Sequence, residues 1–281
     1  MMLLDGKKTA AELGAGLQTK VKALIDSGVV PKLVIYKVSD DPASAIYIRM
    51  KTAKAAELGL VSEVREMQNQ TQTETIESIQ RDNTDPTVHG MIVQLPVAEQ
   101  FNRYALIEAI DPAKDVDGLT SINQWYLTTN QDRGYLPATT KGILALLDAY
   151  KIELIGARIV VVGRSNLVGK PTALALLNRD ATVTICHSRT KELAELTKTA
   201  DVLVVVVGQP GLVTKDMVKE GAVVVDVGIT KIDHGVAGDV ETQEVATRAA
   251  AISPVPGGVG PMTVIGLMIN VVSAAERQNS P

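Results

Sequence analysis

A glycine turn caught between two apolar β runs constrains this chain more than any other feature. Residues Ile155 to Thr190 read IGARIVVVGRSNLVGKPTALALLNRDATVTICHSRT. The run Arg158–Val162 is β-branched and stops abruptly at Gly163. A polar turn then passes Gly169 and Pro171 into a helical pattern, Thr172–Asn178, and a second β run follows at Ala181–Cys186. Strand, glycine turn, helix and strand within roughly 30 residues describe a βαβ unit, the mononucleotide-binding half of a Rossmann-like fold. In such a unit the helix N-terminus faces the end of the first strand, where free N–H groups and the helix dipole favour an anion such as pyrophosphate.

The glycine fingerprint is incomplete. GxGxxG begun at Gly163 requires glycine at positions 165 and 168; the chain has Ser165 and Val168, with Gly169 one place late. Any doubly wound domain uses glycine in such turns, so the turn alone leaves dinucleotide binding open. The end of the second strand is more informative. An NAD site needs a carboxylate about 20 residues after the first glycine to accept from the ribose hydroxyls. Here the chain reads Cys186-His187-Ser188-Arg189-Thr190, with no acid before Glu192. Ser188, Arg189 and Arg164 can donate to a 2′-phosphate that a carboxylate would repel, so the pattern predicts NADP. The competing reading makes Arg189 an ordinary solvated charge.

The remaining chain has the same alternation. Its 281 residues suit two domains or one large α/β domain. Apolar spacing predicts a helix over Thr9–Ser27, a strand over Lys32–Val38, and a helix over Ala43–Leu58 that opens on Asp40-Asp41-Pro42 and ends at Gly59. On that helix Tyr47 and Lys51 share a face, as do Ile46 and Met50. The face is either a cleft wall or a half-buried tyrosine beside a snorkelling lysine. Weaker patterns give a strand at Val61–Met67 and a helix at Thr73–Asp82. Val88–Leu95 is a buried strand with Gln94 at its exit, where open α/β sheets bind ligands, although a glutamine there can equally cap a loop.

After a helix at Asn102–Ile110, the turn Lys114-Asp115-Val116-Asp117-Gly118 holds two acids around one valine. One can bond its own backbone, which leaves the other for a ligand. Leu119–Thr140 reads as irregular and separates two halves. A helix at Gly142–Tyr150 precedes the central unit; past it, helices at Thr190–Thr199 and Lys215–Lys219 and strands at Asp201–Val207 and Ala222–Val227 describe a parallel sheet buried on both faces. Pro254 to Pro261, PVPGGVGP, is a loop suited to close approach of a planar ligand, and Met262–Arg277 is a closing helix expected to pack on the first domain.

Composition excludes several functions. A net charge of -4 with no Lys/Arg run argues against nucleic acid or an anionic membrane surface as partner. The single cysteine, Cys186, leaves no internal disulfide or cysteine-rich metal site, so no metal is expected and a reducing, cytoplasmic location is. The start MMLLDGKK turns polar after four residues, unlike a signal peptide, and the run Val202–Val207 is too short to span a bilayer.

DDPASAIYIRMK, VQLP, KDVDG, GRSNLVGKP, TICHSRT and PVPGGVGPMT occur in this order from Asp40 to Thr263. Together they resemble the bifunctional methylenetetrahydrofolate dehydrogenase/methenyltetrahydrofolate cyclohydrolase family over essentially the whole chain. The resemblance implies two α/β domains with the active site in the cleft between them. Residues 1–138 with the C-terminal helix 262–281 would form the folate-binding catalytic domain, and 139–261 the Rossmann-like, doubly wound NADP domain. It implies a homodimer acting on a folate. By the same resemblance Tyr47 stacks on the folate ring, Lys51 is the catalytic lysine with Gln94 as its partner, and Asp117 accepts from the pterin. Pro256, Gly257 and Gly258 would line the folate side; Gly163, Arg164, Ser165, Val168, Gly169, Ser188, Arg189 and Ile229 would serve NADP. Competing readings are a monofunctional dehydrogenase of the same fold and a non-catalytic NADP-binding module. One departure stands out: the family's PCTPxG is Pro137-Ala138-Thr139-Thr140-Lys141-Gly142 here, which predicts altered loop stiffness.

Overall fold

The Val/Ile-rich runs become the strands of two parallel sheets in the computed structural model, which describes residues 1–233 and 235–279. In the larger sheet Arg158–Val162 lies between Thr182–Cys186 on one side and Val202–Val205 on the other. Beyond Val202–Val205 come Val223–Asp226, Ala251–Ile252 and finally Met2–Leu3, all parallel. The chain therefore steps outward first one way and then the other from Arg158–Val162. The strand-order reversal falls between Arg158–Val162 and Val202–Val205, the place where open α/β sheets hold ligands beyond their carboxyl ends. Val160, Val162, Leu203, Val205, Val224 and Ile252 form a buried core on this sheet.

The edge strand departs from the expected two-sided burial. Thr182, Thr184 and Ile185 are exposed, because an outermost strand has a neighbour on one side only. The helix expected over Thr190–Thr199 is shorter, Leu193–Thr197, and Lys215–Lys219 tightens to a 3-10 turn, Lys215–Met217. An antiparallel hairpin, Thr230–Ile232 with Gly235–Ala237, was not legible because its strands are three residues each.

The smaller sheet has Lys32–Lys37 between Val61–Glu66 and Gly90–Gln94, all parallel. Helix Pro42–Leu58 follows its central strand. Asp41 accepts from the Ala43 amide at 2.7 Å, Pro42 occupies the first turn, and Gly59 closes the helix at φ 84°; these are the start and stop residues the sequence offered. Helix Gln72–Thr84 opens on a capping box in which Thr71 and Glu74 satisfy each other's backbone amides.

The chain divides into two compact units. One comprises Met1–Ala11 and Thr139–Thr263; the other comprises Glu12–Ala138 and the chain from Val264 onward. Residues 1–11 thus leave the first domain, where the sequence reading placed them. The reason is β pairing: the Met2 amide donates to Ala250 O at 2.7 Å and the Leu4 amide to Ile252 O at 2.9 Å, with Leu4 fully buried. Two β segments of two residues each, Met2–Leu3 and Ala251–Ile252, carry no periodicity from which to expect this.

Two further differences concern the expected irregular stretch Leu119–Thr140. It contains a helix, Ser121–Thr128, capped by Thr120, and a second helix starts at Ala138. The closing helix starts earlier than expected, at Val259, with Gly260 and Pro261 in its first turn, where a missing N–H costs nothing. Val264, Leu267, Met268, Val271 and Val272 on it are buried. Among the described residues this is the one helix long and apolar enough to cross a membrane, but 67% of its apolar window is buried within the protein.

Candidate functional site

Three polar side chains meet at the carboxyl end of the smaller sheet. Lys51 lies on the buried stripe of helix Pro42–Leu58, with Ser44, Ile48, Ala55 and Leu58, and is only 8% exposed. Its Nζ donates to Gln94 Oε1 at 2.9 Å, and Gln94 Nε2 donates to Leu95 O at 2.7 Å. That second bond fixes the amide so that its oxygen faces the amine. The snorkelling alternative is therefore wrong for Lys51: its ammonium turns into the protein rather than out to water. Ile46 and Met50, one position back, do face outward, at 53% and 41% exposure. Tyr47, one turn before Lys51, is half-buried.

Asp117 completes the cluster, and the turn that carries it divides its two acids. Asp115 Oδ2 accepts from the Thr120 amide, Thr120 Oγ1 and Asn123 Nδ2, each at 2.8 Å. Asp115 is thereby committed to its own loop, and Val116 between the acids is buried. Asp117 accepts a backbone bond from Ala138 and keeps part of its surface open. Gly118 has φ 66°, and a Cβ there would lie 2.4 Å from Tyr135 O, so only glycine lets the turn close. Asn270 Nδ2 holds the same turn from the closing helix, donating to Val116 O and Leu136 O at 2.9 Å each. Asn270, Thr120 and Asn123 escaped the sequence reading. The polar Asn270 within the apolar face of Met262–Arg277 was the available signal.

Burial pushes the Lys51 amine below the ordinary lysine value of 10.5, and the Asp117 charge opposes it in part. Burial raises the Asp117 carboxyl above its ordinary value, with Lys51 pulling it back. A desolvated amine fixed by a neutral acceptor beside one carboxylate is suited to receiving and returning protons.

The departure from PCTPxG falls at the start of helix Ala138–Ala149, not in a loop, so the expected change in loop stiffness does not apply. Position 138 serves Asp117 through its backbone amide, which alanine supplies as well as cysteine does. Thr139 Oγ1 accepts from Thr263 Oγ1, and Thr140 pairs with Thr172 at 3.0 Å.

In the nucleotide-binding unit, Gly163 ends its strand at φ 132°, and a Cβ there would come 2.2 Å from Val206 O. A Cβ on Gly169 would come 2.4 Å from Gly163 O. Helix Gly169–Leu177 therefore starts against bare backbone at the switch point, the cradle a pyrophosphate requires. Ser165 Oγ accepts from the Val168 and Gly169 amides at 3.2 Å each, standing where such an anion's oxygens would accept. The turn after Cys186 closes on itself through His187 N to Thr190 Oγ1 and Arg189 N to His187 Nδ1. Ser188 and Arg189 are left exposed there, as is Arg164 at the first turn. Backbone cradle, two guanidinium groups and no carboxylate in that turn fit a dinucleotide carrying a 2′-phosphate. Ile229 is exposed beyond the end of strand Val223–Asp226. Gly258 is buried and its amide donates to Pro254 O, while Gly257 O accepts from the Lys7 amide. Pro256, Gly257 and Gly258 belong to the nucleotide-binding unit, whereas Tyr47, Lys51, Gln94 and Asp117 belong to the other.

A switch-point cradle for a dinucleotide and a desolvated lysine, carried on one chain, define a nicotinamide-dependent oxidoreductase with acid–base capacity of its own. The chain belongs to the tetrahydrofolate dehydrogenase/cyclohydrolase family: the family's catalytic-domain model matches residues 4–117 and its NAD(P)-binding-domain model residues 137–279. It is 50% identical to the bifunctional protein FolD of Lactobacillus helveticus, over 99% of this chain and 98% of that one. Among solved structures it is similar to the bifunctional FolD of Campylobacter jejuni, with TM-score 0.97 and 42% identity over 99% of both chains. It is also similar to the methylenetetrahydrofolate dehydrogenase-cyclohydrolase of Trypanosoma brucei complexed with NADP and an inhibitor. That likeness has TM-score 0.94 and 34% identity over 99% of this chain and 98% of that one.

Gly169→Ala tests the cradle. The added methyl overlaps Gly163 O, so NADP affinity measured by calorimetry should fall by about tenfold or more. Unchanged affinity would show that the cofactor does not approach this backbone.

Proposed function

We propose that the protein oxidises methylenetetrahydrofolate to methenyltetrahydrofolate with NADP, and then hydrolyses the product to formyltetrahydrofolate, as an enzyme of one-carbon metabolism. The observation that carries the pairing of hydrolysis with oxidation is the Lys51 amine held on Gln94 beside Asp117. A dehydrogenase alone has no need of it.

When bound, NADP supplies the acceptor for a hydride. The methylene carbon gives up that hydride with its electron pair, and the lone pairs of its two nitrogens stabilise the resulting cation, so oxidation demands alignment and not a strong base. Tyr47 is suited to lie on the pterin ring, and Asp117 to accept from its amide and amino groups. In the second step water adds to the methenyl carbon. Both protons leave that oxygen as it becomes the formyl carbonyl: neutral Lys51 takes up the first and can deliver it to the nitrogen whose bond to the carbon opens, and the second is released to water as the net proton of the reaction. Gln94 keeps the lone pair of the amine oriented.

The substrate side of this reading extends to Pro256, Gly257 and Gly258; the cofactor side comprises Gly163, Arg164, Ser165, Val168, Gly169, Ser188, Arg189 and Ile229. A homodimer in the cytoplasm completes the proposal. An absorbance assay tests it: methylenetetrahydrofolate with NADP should yield formyltetrahydrofolate, and methenyltetrahydrofolate alone should be hydrolysed without any dinucleotide. Oxidation without hydrolysis would leave a monofunctional dehydrogenase; neither reaction would leave a binding module.

Arg189 sets the cofactor preference in this account. Removing an exposed guanidinium from a phosphate contact weakens a charge-assisted bond of roughly 1.5–3 kcal/mol. Arg189→Ala should therefore raise the KM for NADP by about tenfold and leave the KM for NAD within about twofold. An equal change in both would remove Arg189 from the 2′-phosphate.

A further inference from the structure

Two buried aspartates that the sequence reading did not single out lie at the carboxyl end of the larger sheet. Asp226 is the last residue of strand Val223–Asp226 and Asp239 follows the hairpin; they are 1% and 0% exposed. Asp226 Oδ1 accepts from the Gly228 amide at 2.9 Å and the Asp239 amide at 3.0 Å, and its Oδ2 accepts from the Val240 amide at 3.0 Å. Asp239 Oδ2 accepts from the Val207 amide at 2.7 Å and the Gly208 amide at 3.0 Å. Its other oxygen, Oδ1, is buried without a hydrogen-bond partner.

The packing admits little else at these positions. A Cβ on Gly238 would lie 1.9 Å from Asp226 Oδ2, and one on Gly228 would lie 2.3 Å from the Asp239 carboxyl carbon. Burial and the neighbouring Asp239 charge push the Asp226 carboxyl up to about 6. Two carboxylates buried so close together are costly, and a hydrophobic pair would fill the space at less expense. What they secure is backbone. Besides the Asp239 and Val240 amides, which tie the two acids' own segments together, the amides they hold belong to Val207-Gly208, which leaves strand Val202–Val205, and to Gly228, which leaves strand Val223–Asp226. Each held segment presents an apolar side chain to solvent, Val207 at 39% and Ile229 at 45% exposure. Val206, next to the first segment, is the residue whose carbonyl abuts Gly163.

We infer that Asp226 and Asp239 are positioning residues for the dinucleotide: by fixing Val207-Gly208 and Gly228-Ile229 they hold an apolar rim at the carboxyl end of the sheet against a planar ring of the cofactor. The inference rests on the proposed NADP site. It goes beyond that site in making cofactor affinity depend on two carboxylates that never reach solvent. Val207 and Ile229 supply the contact, and the aspartates supply its geometry.

The test is a split between reactions that do and do not use the dinucleotide. Asp239→Ala strands the Val207 and Gly208 amides. It should raise the KM for NADP by about tenfold or more, while hydrolysis of methenyltetrahydrofolate, assayed without dinucleotide, stays within about twofold. Asp239→Asn keeps one acceptor oxygen and should recover most of the affinity. If the alanine variant does not fold, the asparagine variant together with Ile229→Ser, which removes the apolar contact from an intact scaffold, carries the same expectation for NADP affinity: small loss in the first, about tenfold loss in the second. Unchanged NADP affinity in Asp239→Ala, unchanged NADP affinity in Ile229→Ser, or equal loss of both reactions would each overturn the inference. Failure of the wild-type protein to bind NADP would instead overturn the cofactor site itself.

Discussion

Lys51→Met should abolish hydrolysis of methenyltetrahydrofolate while leaving NADP affinity unchanged. Methionine keeps the length and apolar stem of the lysine, so the buried stripe of helix Pro42–Leu58 stays filled. What is lost is the one group at Gln94 that can take up a proton. General acid–base catalysis by a placed side chain is worth about 10²–10⁴-fold, and the fall in kcat for hydrolysis should lie in that range. Hydride transfer needs no such base, so oxidation should suffer less than hydrolysis. Arginine is no substitute, because its guanidinium stays protonated throughout the working range. Hydrolysis at the wild-type rate by the methionine variant would remove Lys51 from the chemistry.

Asp117→Ala should act on the folate instead. A carboxylate that accepts from both the amide and the amino group of the pterin makes two charge-assisted bonds, and losing such a partner costs about 1.5–3 kcal/mol. The KM for methylenetetrahydrofolate should therefore rise roughly 10- to 100-fold, with the KM for NADP unmoved. A second effect has the opposite sign for the amine. The Asp117 charge holds the Lys51 value up against burial, so its removal lets the lysine value fall further. The neutral amine is the base for hydrolysis, and it accumulates as pH rises through the lysine value. The rising limb of the pH profile for hydrolysis should accordingly move to lower pH in the alanine variant. An unchanged folate KM would take Asp117 out of the substrate site.

Helix Pro42–Leu58 was legible because apolar spacing, capping residue and terminating glycine all point to the same element, and the βαβ unit around Gly163 because its β-branched runs and glycine turn do. The short strands Met2–Leu3 and Ala251–Ile252 were illegible, since two residues carry no period, and their pairing is what moves the N-terminus into the nucleotide-binding unit. The two acids of KDVDG show the same limit at a single turn. Sequence spacing said that one of them binds its own loop, but only the positions of Thr120 and Asn123 decide that this is Asp115 and not Asp117. Asp226 and Asp239 were hidden for a related reason. Thirteen residues apart, with a glycine before one and near the other, they look like ordinary turn acids until the sheet brings them together.

Hydrolysis depends on an amine that loses its proton early because it is out of water. Titrating the Lys51 side chain of the wild-type protein by NMR, with the resonance assigned through its absence in Lys51→Met, measures this without any assay of turnover. Lys51 should lose its proton below 10.5, the ordinary lysine value. A Lys51 that stays charged up to that value or beyond it would contradict the proton transfer on which the hydrolysis depends.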